Sequence, residues 1–300
     1  MIKRIMIVVF ILAILIVRSS FGQREKAGGQ LVDLIRQTKK TIVFLGAINE
    51  KGKIQLRATG FLVMIQNVFH LVTAKHVIME TKGGKFTGKF IDNNMFALFN
   101  MKDGHTGLRS ISQIKSKYGA NWIFHQDENV DIAIIPFPLD LKKQDVMVIP
   151  DKMFLTADRV FELYDVYFLS YQPGIGTQEQ ILPVIRSGTV SLINKDNTFY
   201  IDGFAFPGNS GSPVFLKPSL IRFDEKGDIT IGVDPLGGKF IGIVGEYIPY
   251  QEVAISTQTN RPRVVFEENT GLSKVWSVKF LKEIEDSAIF KQQLQRLLPK

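Results

Sequence analysis

The stretch FPGNSGSPVF, Phe206 to Phe215, sets Gly208 and Gly211 on either side of Asn209 and Ser210, with Pro213 ahead of a return to apolar residues. Gly, Asn and Ser tolerate the backbone angles of tight turns, so the stretch reads first as a connection between two strands. It also reads as a loop that presents Ser210 as a nucleophile, with glycines that let the backbone close around a substrate carbonyl. The rest of the chain has to choose between these readings.

Working outward, the sequence is a succession of short β-rich runs. TIVFLGAI, GFLVMI, VFHLVTA, MFALFN, WIFH and DIAIIPF fill the first half from Thr41. RVFELYDVYFLSY, ILPVIRSGTVSLI, TFYIDGFAF, SPVFL, ITIGV and FIGIVGEYI fill the second, beyond a linker near 142–158. Runs of this length separated by turn signals predict an all-β barrel or sandwich. Towards the end, Val275, Val278, Leu281, Ile284 and Ile289 fall near helical spacing and predict a C-terminal helix packed on the second half. With 300 residues, 45% hydrophobic and 22% charged, the chain has material for one large or two small cores.

The first residues differ from the rest. Lys3 and Arg4 precede an unbroken apolar run from Ile5 to Val17, and Ser20 and Gly22 follow. That run is short of the ~20 residues a bilayer span needs, and it fits a secretory leader over 1–22, cleaved after Gly22. The alternative is an uncleaved anchor with Arg18 at the interface, and only then would the membrane be a partner. Residues 23–40 read as a lead-in ending in a short amphipathic helix on Leu31, Leu34 and Ile35. The chain has no cysteine, which excludes disulfides, a thiolate nucleophile and cysteine metal sites. Cysteine-free export leans towards a bacterial envelope, periplasmic or extracellular. The formal charge of +8 reads as a solvated surface, because no arginine-rich helix or basic-aromatic motif points to nucleic acid.

Three polar positions stand at the edges of predicted strands: His76 in VTAKHV, Asp131 in ENVDIAIIPF, and Ser210. Acyl transfer at neutral pH uses a hydroxyl nucleophile, a base that accepts its proton, and a carboxylate that holds the base in the right tautomer. The three side chains supply those types. The remaining histidines fit less well: His70 lies in an apolar strand, His105 in a turn, and His125 beside Asp127 and Glu128. No pair of them has the short spacing of a zinc helix, and neither metal nor cofactor is expected.

Through Thr73-Ala74-Lys75-His76, Asp131-Ile132-Ala133 and Gly208-Asn209-Ser210-Gly211-Ser212-Pro213, in that order, the chain resembles the chymotrypsin-like (trypsin-fold) serine proteases. RSGTVSLI, Arg186 to Ile193, and Asp202 are similar in style to the bacterial HtrA-like and glutamyl-endopeptidase-type members, without a PDZ-sized segment after the barrels. The resemblance implies two six-stranded antiparallel β-barrels, over 41–150 and 151–272, with the C-terminal helix over 273–300. It implies a site in the cleft between them: His76 as base, Asp131 as its orienting carboxylate, Ser210 as nucleophile, and the N–H groups of Gly208 and Ser210 as oxyanion hole. Phe204, six residues before Ser210, would form the floor of the primary substrate pocket and direct cleavage to small or medium apolar residues. Ser212 replaces a common glycine. Asn209 replaces the acid that pairs with a newly cut N-terminus in the digestive members, so activation by such a cut is not expected. The expected activity is hydrolysis of protein or peptide substrates through an acyl-enzyme. The alternative is a catalytically silent member that binds an extended peptide by strand addition.

Overall fold

The computed structural model describes residues 32–175, 180–223, 228–232 and 234–297. The expected leader over 1–22 lies outside them. By contacts the chain divides into Met1–Thr38 and Lys39–Lys300. The described residues open on a helix over 32–39 (α1), in which Leu34 and Ile35 are half-buried. No helix among the described residues is long and apolar enough to cross a membrane.

In the second unit, β1 (Ile42–Ile48), β2 (Ile54–Ile65), β3 (Val68–Thr73), β4 (Met79–Lys82), β5 (Lys85–Phe90), β6 (Met95–Asn100) and β7 (Thr106–Ser110) lead to helix α2 (Ile111–Tyr118). The short strands β8 (Ile123–Phe124), β9 (Ala133–Pro136) and β10 (Ile149–Pro150) follow. The main sheet has eight strands, in the order β7-β6-β1-β2-β3-β9-β8 with β10 beside β2. Strand β6 alternates strictly between buried and half-buried residues, the pattern of a sheet with one face on a core. This sheet departs from the closed six-stranded barrel expected for the first half, because its end strands β7 and β8 do not pair. Strand β7 runs directly into α2, where Ser110 caps the helix and Ile111 and Ile114 join the core formed by Val43, Leu45, Leu62 and Leu71. The helix covers apolar surface that a closing strand would otherwise have to bury.

The second half holds β11 (Asp165–Ser170), β12 (Val184–Ile193), β13 (Thr198–Asp202), β14 (Pro213–Leu216), β15 (Ile221–Phe223), β16 (Ile229–Ile231), β17 (Phe240–Ile255) and β18 (Pro262–Ser277). Six of these close into a barrel, β11-β12-β13-β18-β17-β14, as the runs of β-branched and aromatic residues predict. Phe168, Val190, Phe199, Val214, Val244 and Val275 fill its interior. Beyond Gly245 and before Gly271, β17 and β18 continue as a projecting two-stranded arm with Tyr250, Val253, Ile255, Val264, Val265 and Phe266 exposed.

The expected single C-terminal helix is two, α3 (Val278–Asp286) and α4 (Ala288–Leu297), and β18 occupies the start of that segment. Val275 belongs to the barrel, on the buried face of β18 with Gly271 and Ser273, and its spacing of three from Val278 spans the junction between strand and helix. A third core unites the halves. Phe61 packs edge-on against Phe240 with ring centroids 5.2 Å apart, and Phe215, Val278, Leu281 and Phe290 join the same cluster. Each such ring removed from water contributes roughly 1.5–3 kcal/mol. This seam holds the ends of β3, β9 and β14 close together, and the three polar motifs sit at those ends.

Candidate active site

Strand β3 ends at Thr73, and a single 3-10 turn over Lys75–Val77 follows. The turn points Lys75 inward, where it is 5% exposed, donates to the Glu128 carbonyl at 2.9 Å and lies 4.0 Å from the Phe86 ring centre. Its neighbour His76 is thereby directed the other way. Asp131, just before β9, holds His76 at two points: Oδ2 lies 2.7 Å from Nδ1, and Oδ1 accepts the His76 backbone N–H at 2.8 Å. Two contacts from one carboxylate fix both the backbone and the ring, so Nδ1 carries the proton and Nε2 is left as the basic atom. Burial alone would lower the His76 pKa. The hydrogen bond and charge of Asp131, with the charge of Glu246 added, outweigh burial and raise it above the ordinary value.

His76 and Ser210 line one cavity of about 180 Å³, whose other walls are Ala205–Pro207 and Val244–Tyr247. Gly245 is required on that wall: a Cβ there would lie 2.7 Å from the Trp276 indole nitrogen and 3.7 Å from Asp131 Oδ2. The structure thus brings together all three polar residues singled out from the sequence.

The loop from Phe206 to Ser212 is held almost wholly by polar contacts. Gly208 has φ +102° and Gly211 has φ +84°, the left-handed region that glycine adopts without strain. Asn209 N–H donates to the Phe206 carbonyl, and Ser212 N–H to the Asn209 carbonyl. The Asn209 side chain closes the loop from within, accepting the Phe206 N–H at 2.9 Å and donating to the Tyr171 carbonyl at 2.6 Å. A residue that reads in sequence as a lost acid therefore acts as an internal brace. Among the described residues, the N–H groups of Gly208 and Ser210 donate to no protein acceptor. Ser212 is fully buried, and its Oγ has no partner among the described residues.

Phe204 stands elsewhere than expected. It is 50% exposed, stacks on Phe206 with centroids 6.2 Å apart, and its ring bears on Gly271. It does not line the cavity, whereas Ala205 and Phe206 do. Burial alternates without a break from Ile201 to Phe206, so Phe204 shares the outward face of Asp202 while Gly203 and Ala205 turn inward. The expected preference for apolar residues loses its basis.

Thr59, Glu246 and Tyr247 were not singled out in the sequence. Glu246 and Tyr247 follow the glycine of a strand that reads as ordinary core, and Thr59 is one β-former among many, so none carried a signal.

The trypsin-like peptidase domain family model matches residues 58–218, more than half of the chain. This chain belongs to the trypsin-like peptidases. No curated protein matches it. Among solved structures, this trypsin-like peptidase is similar to the serine endoprotease from Yersinia pestis at 15% identity and a TM-score of 0.44, covering 84% of this chain and 66% of that one. The matched family segment contains the turn that bears His76, the loop before β9 that bears Asp131, and the Gly208–Pro213 loop of the peptidase.

Proposed function

We propose that this trypsin-like peptidase is a serine endopeptidase that cleaves peptide bonds through His76, Asp131 and Ser210. The observation that carries the reading is the 2.7 Å contact between His76 Nδ1 and Asp131 Oδ2, on a histidine that shares its cavity with Ser210. Ser210 Oγ attacks the carbonyl carbon of the scissile bond while His76 Nε2 accepts its proton. The carbonyl oxygen gains negative charge against the free N–H groups of Gly208 and Ser210, an arrangement worth about 100-fold or more in rate per donor. Collapse of this intermediate breaks the C–N bond, with His76 returning the proton to the leaving amine. Water then attacks the Ser210 ester by the same route in reverse, releasing the acid and restoring the hydroxyl. Asp131 stays ionised throughout and stabilises the imidazolium. The basic, apolar start of the chain supports export to the bacterial envelope as the place of action.

Hydrolysis of a mixed peptide library by the purified chain tests this. The wild-type protein is expected to cleave internal bonds, and Ser210→Ala to cleave none. Equal cleavage by both would overturn the assignment of Ser210.

A further inference from the structure

Thr59, in β2, is completely buried, and every polar group it possesses is in use. Its N–H donates to the Ser210 carbonyl at 3.1 Å. Its Oγ1 donates to the Gly208 carbonyl at 2.8 Å and accepts the Tyr171 N–H at 2.8 Å. Its own carbonyl accepts the Thr73 hydroxyl at 2.8 Å, three residues before His76. One residue of the first sheet thus touches the Ser210 loop on both sides of Asn209, the Tyr171 backbone that braces Asn209, and the strand that delivers His76.

We propose that Thr59 is a positioning residue that sets Ser210, with the N–H groups of Gly208 and Ser210, against His76. The proposal rests on the reading of Ser210 as nucleophile. Peptide groups are planar, so holding the carbonyls of Gly208 and Ser210 fixes the planes on either side of the Asn209-Ser210 pair. With those planes fixed, so are the Cα atoms of Gly208 and Ser210, and the Asn209-Ser210 peptide that carries the Ser210 N–H is bracketed between them. The fit around this point has no slack. A Cβ on Gly211 would stand 2.2 Å from the Thr59 carbonyl oxygen and 2.4 Å from Thr73 Oγ1, so the Ser210 loop, β2 and β3 are already in direct backbone contact. Only a β-hydroxyl reaches the Gly208 carbonyl while still accepting from Tyr171. A valine of the same shape fills the space, but it leaves a buried acceptor and a buried donor unpaired, and both then seek new partners by moving the loop. A displacement on the order of 1 Å at a reacting centre costs about 100-fold in rate.

The test compares Thr59→Val and Thr59→Ser in the full chain, by acylation of Ser210 with a fluorophosphonate and by kcat and KM on a cleaved peptide. Thr59→Val is expected to lower the acylation rate and kcat by about 10- to 100-fold with KM changed less than about threefold, and Thr59→Ser is expected to restore most of the loss. If Thr59 served stability alone, Thr59→Val would lower the melting temperature and leave kcat per folded molecule unchanged below it, which would overturn the proposal. Equal losses in the Ser and Val variants would overturn it too. Should Thr59→Val not fold, Thr59→Ala reads the same hydroxyl without the added methyl. A Ser210→Ala protein that still cleaves peptides would overturn the nucleophile assignment itself, whereas an inert Ser210→Ala beside a fully active Thr59→Val would overturn only the role of Thr59.

Discussion

His70 and His76 stand one strand-length apart, the first in the middle of β3 and the second in the turn after it, and their surroundings give the same side chain opposite properties. His70 is wholly buried and stacks on Phe290 of α4 at 5.2 Å. Its Nδ1 lies 2.9 Å from the Val68 carbonyl, to which it donates, and its Nε2 is buried with no partner among the described residues. Desolvation dominates there and lowers its pKa from 6.5 to about 4, with the Val68 contact opposing. His76 is also penalised by burial, but Asp131 reverses the outcome and its pKa is raised. A histidine in this fold becomes a base only where a carboxylate meets it. His70, which meets none, is a flat packing element against Phe290.

The largest expected effect breaks the difference at its source. Asp131→Asn keeps the size of the side chain but removes its charge, and its amide can present N–H to Nδ1. His76 then adopts the wrong tautomer, and turnover should fall by about four orders of magnitude. Steady-state kinetics on a cleaved peptide would show it, and a loss under tenfold would contradict the role given to Asp131.

The second prediction concerns His70 and stability rather than activity. Its folded pKa lies below that of the unfolded chain, so between about pH 6.5 and 4 the unfolded state takes up a proton that the folded state refuses. Stability is therefore intact above that window and declines as pH falls through it. Lowering the pH from about 8 to about 5 should cost on the order of 2 kcal/mol through this one group. Denaturant unfolding at both pH values measures it, and His70→Leu should remove about that share of the slope. An unchanged slope in His70→Leu would place the acid sensitivity elsewhere.

The smallest effect sharpens the comparison from the cavity side. Glu246 is exposed on the cavity wall and adds to the raised pKa of His76 after Asp131. Glu246→Gln should shift the acidic limb of the kcat/KM profile to lower pH, by less than the influence of Asp131 would imply. A shift to higher pH would contradict the sign of the interaction.

Much of this was legible in the residues. The runs of Val, Ile and Phe separated by turns gave the β architecture, and the motifs around His76, Asp131 and Ser210 converge as their order suggested. What escaped follows from what side-chain types cannot encode. Thr59 is indistinguishable in sequence from a threonine chosen for strand propensity, because its importance lies in partners far along the chain, at Gly208 and Ser210. Phe204 was set by counting back from Ser210, and a count does not register that the residue falls on the exposed face it shares with Asp202. The arm of β17 and β18 carries apolar residues on exposed strands, so burial and hydrophobicity part company there. The C-terminal helix breaks at Ser287, whose hydroxyl donates to the Ile284 carbonyl and accepts the Phe290 N–H, a capping role that apolar periodicity does not register.

The central claim is that His76, held by Asp131, activates Ser210, and the most direct measurement is the pH dependence of Ser210 acylation by a fluorophosphonate, with the adduct mapped by mass spectrometry. Acylation requires neutral His76, so the rate should rise with pH through a midpoint above the ordinary histidine value of 6.5, with the adduct on Ser210 and no adduct in Ser210→Ala. An adduct on another residue, or a Ser210 rate left unchanged by His76→Ala, would contradict it.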